Sequence, residues 1–225
     1  MQRSDVINRF LKLYEDPRYL EVGVDEGTTF FAVDARQKVA VDPAFKFPIP
    51  DAVGLLADVE FHPVESDLYF EKSASGQFDI IFLDGLHTFE QIVKDFTNAL
   101  AYIKPNGIII IDDVIPSSYY ASMPDLDRSL QFRRRLGFSD WDWMGDVYKI
   151  VYLIESFFQS YSFATVAENH GQMIVWRETR SANALSQRTI ESIGRMSYSD
   201  AVLADGFALQ ECEIIVERCE KALNL

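Results

Sequence analysis

Residues 19–29 read Tyr-Leu-Glu-Val-Gly-Val-Asp-Glu-Gly-Thr-Thr. An apolar run with one acid inside it, Glu21, passes straight into a glycine-punctuated turn, the way a strand buried on both faces hands the chain to a helix. The pattern recurs: Lys38–Asp42, Phe78–Asp84 and Gly107–Asp113 are apolar, β-branched runs closed by acids, and another strand is expected near Val59–Val64. Between the last two of the acid-closed runs lies the clearest helix. Thr88 and Gln91 have capping-box spacing, and Phe89, Ile92, Val93, Phe96, Leu100 and Ile103 fall on one stripe. Lys104-Pro105-Asn106-Gly107 should stop it. Continuous apolar strands alternating with helices predict an α/β chain with a mostly parallel sheet covered on both faces.

Outward from this centre, Val6, Ile7, Phe10, Leu11 and Tyr14 predict a short amphipathic helix ahead of the first strand. Downstream, Val114–Asp125 reads as a long loop, Leu126–Leu136 as a helix whose Arg133-Arg134-Arg135 forms a solvated face, and Val147–Phe158 as another helix with Asp146 as its N-cap. Tyr161–Val166 and Gln172–Arg177, joined across Asn169-His170-Gly171, predict an antiparallel hairpin. These readings make one domain over residues 1–179, with residues 1–18 as an N-terminal helical layer. Residues 180–225 form a helical tail, packed on the same domain or on a partner.

The 225 residues suit one domain with a sizeable core, and 48% apolar with 25% charged content is that of an ordinary globular protein. Twenty-one Lys+Arg against 35 Asp+Glu give −14, a charge that disfavours nucleic acid and anionic membrane surfaces as partners. No apolar run approaches the roughly 20 residues that span a bilayer. The opening Met1-Gln2-Arg3-Ser4-Asp5 starts no secretion pattern. Cys212 and Cys219, two helical turns apart, are expected to be reduced and structural, which with the foregoing gives a cytoplasmic expectation.

The chemistry-bearing residues gather at strand ends. Gly23 and Gly27 stand as G-x-x-x-G, two residues after Glu21, a spacing without the G-x-G-x-x-G pyrophosphate turn of dinucleotide sites. Asp42, 21 residues after Glu21, is placed to accept hydrogen bonds from ribose hydroxyls, and equally to cap the turn that Pro43 begins. Ser66 and Asp67 can cap a helix or edge an adenine. Asp84 and the pair Asp112-Asp113 end neighbouring strands, and three carboxylates so close either hold a cation between them, for which Mg²⁺ is a suitable hard ion, or include one or two that are protonated, cap helices or bind backbone amides. Trp141, Trp143, Tyr119 and Tyr120 are candidates for an apolar wall.

Taken in order, these motifs resemble class I S-adenosylmethionine-dependent methyltransferases, in the branch of small bacterial enzymes related to catechol-type and macrolide-sugar O-methyltransferases. The resemblance runs from about Tyr19 to Arg177. It implies a Rossmann-like, doubly wound, mostly parallel seven-stranded sheet with a C-terminal antiparallel hairpin and the helical tail. It further implies S-adenosylmethionine as cofactor, with Gly23 and Gly27 lining its methionine part, Thr29 near its carboxylate, Asp42 on the ribose, Ser66 and Asp67 at the adenine, and Glu21 and Asp84 also among the cofactor-binding residues. Asp84, Asp112 and Asp113 would hold Mg²⁺, although the third ligand is often Asn in the catechol type. The family's general-base lysine, three residues beyond the first metal acid, is replaced here by His87, which with Asp84 forms the catalytic expectation. The implied reaction is methyl transfer to a hydroxyl of a small sugar or phenol, with the tail as a candidate homodimer contact. The competing readings are an idle nucleotide-binding or assembly module of the same fold, and a metal-independent N- or O-methyltransferase.

Overall fold

The computed structural model describes residues 1–49, 58–140, 142–181 and 188–225; Trp141, one of the candidate wall residues, lies outside them. The amino-terminal half runs α1 (Arg3–Leu11), β1 (Arg18–Val22), α2 (Thr28–Ala32), β2 (Gln37–Val41), β3 (Val59–His62), α3 (Ser66–Lys72), β4 (Phe78–Leu83), α4 (Phe89–Tyr102) and β5 (Ile103–Ile111). After a long loop come α5 (Leu126–Leu136), α6 (Lys149–Phe157), β6 (Tyr161–Val166), β7 (Met173–Arg177), α7 (Ile190–Gly194), α8 (Tyr198–Ala204), β8 (Leu209–Gln210) and α9 (Cys212–Leu223).

The strands form one sheet in the order β3-β2-β1-β4-β5-β7-β6-β8. β3 through β5 are parallel, and β7 runs antiparallel between β5 and β6. The order reverses between β1 and β4, which opens a crevice at their carboxyl ends. Alternate residues serve opposite faces. Leu20, Val22, Ile81, Leu83, Ile109 and Ile111 meet α4 and α6, whereas Tyr19, Ile80, Phe82, Ile108 and Ile110 meet α1, α2 and α9. With both faces covered, β4 is buried at every position, which is why its sequence reads as an unbroken apolar run apart from Asp79. Thr88 caps α4 as expected, its hydroxyl accepting from the Gln91 amide at 3.3 Å.

Four features depart from the sequence reading. The sheet has eight strands among the described residues rather than seven, because Leu209–Gln210 in the tail pairs in parallel with β6. Lys104-Pro105-Asn106-Gly107 belongs to β5, where the pairing with β4 shifts register between Phe78 and Ile80. Lys104 Nζ there grips Asp79 at 2.7 Å, so an ion pair holds the segment in the sheet. Arg133 is buried rather than solvated: it donates to the Asp140 carbonyl at 2.9 Å and lies over the Tyr120 ring. Asp146 does not cap α6, whose N-cap is Tyr148; it accepts from the Phe89 amide at 2.7 Å and pairs with Lys149, tying the starts of α4 and α6 together.

The tail lies against the sheet of its own chain. α9 packs on β6, β7 and α1 and buries Cys212, Ile215 and Cys219, and both thiols are free. No helix of the described residues is long and apolar enough to cross a membrane.

Candidate active site

At the carboxyl ends of β1, β2 and β4, where the strand order reverses, the chain encloses a cavity of about 920 Å³. Glu21, Gly23, Thr29, Asp42, Ser66, Asp67, Asp84 and His87 all line it. Gly27, Asp112 and Asp113 are not among the lining residues. Residues that the sequence reading had not placed there also contribute, chiefly Arg3 from α1 and Gln91 from α4.

The glycine turn is held from both sides. Gly23 has φ +85°, and a Cβ there would lie 1.9 Å from the Asp84 carbonyl oxygen, so the turn rests directly on the end of β4. Gly27, also left-handed, begins α2 and sets Thr29 in its first turn. Asp42 secures the same turn from β2. Its Oδ2 accepts from the amides of Val24 and Asp25, both at 2.8 Å, and its Oδ1 accepts from the Ala44 amide at 2.7 Å. Two carboxylate oxygens offer about four acceptor positions. Three are taken, and the position left on Oδ1 is available to a ligand hydroxyl.

Ser66 and Asp67 are the first residues of α3, with Glu65 rather than either of them as N-cap. The Gln91 amide nitrogen reaches Ser66 Oγ at 3.2 Å and Asp67 Oδ1 at 3.0 Å, fixing this wall of the cavity to α4. Trp143 lines the cavity beside His87, with ring centroids 5.3 Å apart. Tyr120 stacks on Phe138 instead, and Tyr119 is exposed outside the cavity lining.

Glu21 is buried beneath the turn and accepts from the Tyr19 hydroxyl at 2.5 Å. Burial, aided by the charge of Asp84, pushes its carboxyl up to about 8 against the pull of Tyr19, Lys38 and Arg3. A carboxyl whose folded value exceeds its unfolded one stabilises fully below about 4.5, and that contribution is lost as the pH rises to about 8. Glu21→Gln keeps an acceptor for Tyr19 and removes the titration. Each pKa unit is worth about 1.4 kcal/mol, so the variant should gain a few kcal/mol on the wild type between pH 5 and pH 8 in urea unfolding. Parallel pH dependences for the two proteins would refute the buried titration.

The acids at the ends of β4 and β5 form the most polar corner. Asp112 and Asp113 are nearly fully buried, and Asp113 has φ +59°, a left-handed turn that aspartate tolerates. His87 sits between two carboxylates, with Nε2 3.3 Å from Asp84 Oδ1 and Nδ1 3.3 Å from Asp113 Oδ2, and Nδ1 also lies 2.6 Å from the Trp143 carbonyl. Both ring nitrogens therefore face acceptors, the geometry of an imidazolium. Burial alone would lower the imidazole pKa, but hydrogen bonding to Asp84 and the charge of Asp113 outweigh it and lift it to about 9. Burial and the neighbouring carboxylates also push Asp113 up to about 6 and raise Asp112.

A second cation among the three acids is Arg3. Its Nε hydrogen-bonds Asp112 Oδ2 and lies 3.9 Å from Asp84, and its Nη2 lies 3.5 Å from Asp113. Asp84, His87 and Asp113 offer ligand atoms within 4.8 Å of one another, a spacing a metal ion could use. A divalent ion needs oxygen ligands at about 2.0–2.6 Å, whereas here a guanidinium pairs with all three acids and His87 turns N–H groups toward Asp84 and Asp113. Asp112 Oδ1 remains buried without a partner. As folded, this donor set does not fit Mg²⁺.

Residues 20–114 match a family described as a methyltransferase domain. No curated protein matches the chain by sequence. Among solved structures, a candidate caffeoyl-CoA O-methyltransferase from Staphylococcus aureus is similar with a TM-score of 0.55 at 16% identity, over 79% of this chain and 84% of that one. The O-methyltransferase TomG from Streptomyces achromogenes, solved with S-adenosylmethionine and involved in tomaymycin synthesis, aligns with a TM-score of 0.51 at 16% identity, over 77% of this chain and 78% of that one. A candidate O-methyltransferase from Klebsiella pneumoniae gives 0.51 at 16% identity, over 80% and 82%. At these identities the likeness is one of fold.

Proposed function

We propose that this chain, whose residues 20–114 match a methyltransferase domain, moves the methyl group of S-adenosylmethionine to a hydroxyl oxygen of a small molecule. One observation carries this reading: a single cavity joins the glycine turn and Asp42 on one side to an acid–histidine pair on the other. Its lining is rich in carboxylates, Asp25, Glu26, Asp42, Glu65, Asp67 and Asp84, against the cations Arg3, Lys46 and His87. That balance suits a ligand bearing a sulfonium and an ammonium group. The open position on Asp42 Oδ1 would take a ribose hydroxyl, and the wall made by Ser66 and Asp67 would edge the adenine.

In the transfer, the sulfonium–methyl carbon bond breaks as the carbon–oxygen bond forms, and the sulfonium becomes a thioether. The acceptor hydroxyl loses its proton. Aligning the acceptor oxygen about 3 Å from the methyl carbon supplies much of the rate. Trp143 offers a flat apolar face to a ring-shaped acceptor, and its indole N–H is anchored on the Met123 carbonyl at 2.7 Å. The proton is assigned to His87 Nε2, which can accept it once the imidazolium has given up its own. The Asp84 carboxylate holds that ring in place.

The test is product formation. Protein, S-adenosylmethionine and a panel of phenols and sugars should yield S-adenosylhomocysteine and a product heavier by one methyl substitution. Binding of S-adenosylhomocysteine with no turnover on any acceptor would favour the idle-module reading. A sharper check concerns Asp42. Asp42→Ala should weaken S-adenosylhomocysteine by about 1–3 kcal/mol in calorimetry, and wild type should prefer it to its 2′-deoxy and 3′-deoxy analogues. If Asp42→Ala keeps that preference, Asp42 only supports the turn and the ribose contact lies elsewhere.

A further inference from the structure

We propose that Arg3 is the permanent cation of the Asp84, Asp112 and Asp113 cluster and that this chain works without a divalent metal. The inference rests on the methyl-transfer reading and specifies how the acceptor end of that site is charged.

One planar guanidinium reaches all three carboxylates, in direct contact with Asp112 and at 3.5 Å and 3.9 Å from Asp113 and Asp84. It is delivered by a fixed element. Val6, Ile7, Phe10 and Leu11 of α1 are buried against the sheet, so Arg3, one turn earlier, has its position set by the core. A cation in the first turn of a helix is opposed by the helix dipole. Placement there is favourable only with compensating negative charge, which the two strand ends supply. Arginine stays charged at every working pH and donates through five N–H groups in a fixed fork. Since Arg3 lines the cavity with its side chain about one-third exposed at 35%, its remaining donors can face an acceptor oxygen as that oxygen loses its proton. The work of a Lewis-acid ion is then done by a side chain of the protein itself.

Mn²⁺ alone, titrated into the full-length protein and followed by its paramagnetic resonance signal, tests this without any knowledge of the acceptor. Wild type should bind no Mn²⁺ below about 1 mM, the weak limit of carboxylate sites, and its affinity for S-adenosylhomocysteine should be unchanged by a chelator. Arg3→Met should create one Mn²⁺ site, tighter by at least about tenfold, that disappears again in Arg3→Met/Asp84→Asn. Arg3→Gln, which keeps polar donors without the charge, serves if the methionine variant does not fold. A stoichiometric Mn²⁺ site in wild type that Asp84→Asn abolishes would overturn the proposal, and that titration needs no arginine variant. Folded Arg3 variants that gain no site would overturn it as well. Failure of S-adenosylhomocysteine to bind wild type would instead strike the methyl-transfer reading, so the two failures are distinguishable.

Discussion

Gly23→Ala should nearly abolish cofactor binding, lowering affinity for S-adenosylhomocysteine by at least about 100-fold, roughly 3 kcal/mol. Two costs combine. A non-glycine residue in left-handed conformation costs on the order of 1–3 kcal/mol, and φ at Gly23 is +85°. The added methyl carbon would also lie 1.9 Å from the Asp84 carbonyl oxygen and 2.7 Å from the Gly85 nitrogen. Both are backbone atoms of the β4 end and cannot rotate away, so the turn or the strand end must move. Either movement spoils the site, since the turn carries the Asp42 contacts and the strand end carries Asp84. Gly137 supplies an internal control: it has φ +75°, yet a Cβ there would meet nothing within 4 Å. Gly137→Ala should therefore show the conformational cost alone, about 1 kcal/mol in urea unfolding, with cofactor affinity intact. Calorimetry on both variants decides. Wild-type affinity in a folded Gly23→Ala protein would mean that the turn is not where the cofactor lies.

The parts of this architecture that were legible from sequence are those whose signal is local. β4 announces itself because both its faces are buried, and Thr88 because its cap bond closes on Gln91 three residues on. The acids at the ends of β4 and β5 could be paired because parallel neighbours end at the same edge of the sheet. What escaped depends on contacts distant along the chain. Arg3 opens an amphipathic helix, and nothing within that helix tells which strand ends its first turn will meet; its partner Asp112 is 109 residues away. Asp146 looks like a cap because of the helix that follows it, yet its backbone partner, Phe89, lies 57 residues before it. Arg133 is the same residue type as the two that follow it, and its burial comes from facing Tyr120 and the Asp140 carbonyl, which a run of three arginines does not announce. β8 is two residues long, too short for periodicity, and exists by virtue of pairing with Thr165 and Val166.

His87→Ala should lower turnover by about 10²–10⁴, the usual contribution of a general base, and should change the shape of the pH–rate profile. With the imidazole held up at about 9 by Asp84 and Asp113 against the opposing effect of burial, His87 is charged at neutral pH. The neutral base becomes common only as the pH approaches 9. The wild-type rate on a responsive acceptor, at saturating cofactor, should therefore climb through neutral pH and level off near 9 rather than near the ordinary histidine value of 6.5. In His87→Ala that limb should vanish, while S-adenosylhomocysteine affinity changes little because the groups assigned to the cofactor lie elsewhere. Stability supplies an independent reading of the same proton. A histidine whose folded value lies above its unfolded one stabilises fully below about 6.5, and that contribution is lost as the pH rises through about 9. The stability gap between wild type and His87→Ala should accordingly narrow from pH 6 to pH 9.5 in urea unfolding. A narrowing gap with an unchanged rate limb, and a loss of turnover below about tenfold, would mean that His87 serves only to hold Asp84 and Asp113 in place. The acceptor proton would then have to leave by another group of the cavity, and Asp84, the remaining carboxylate that lines it at this end, would be the next residue to replace.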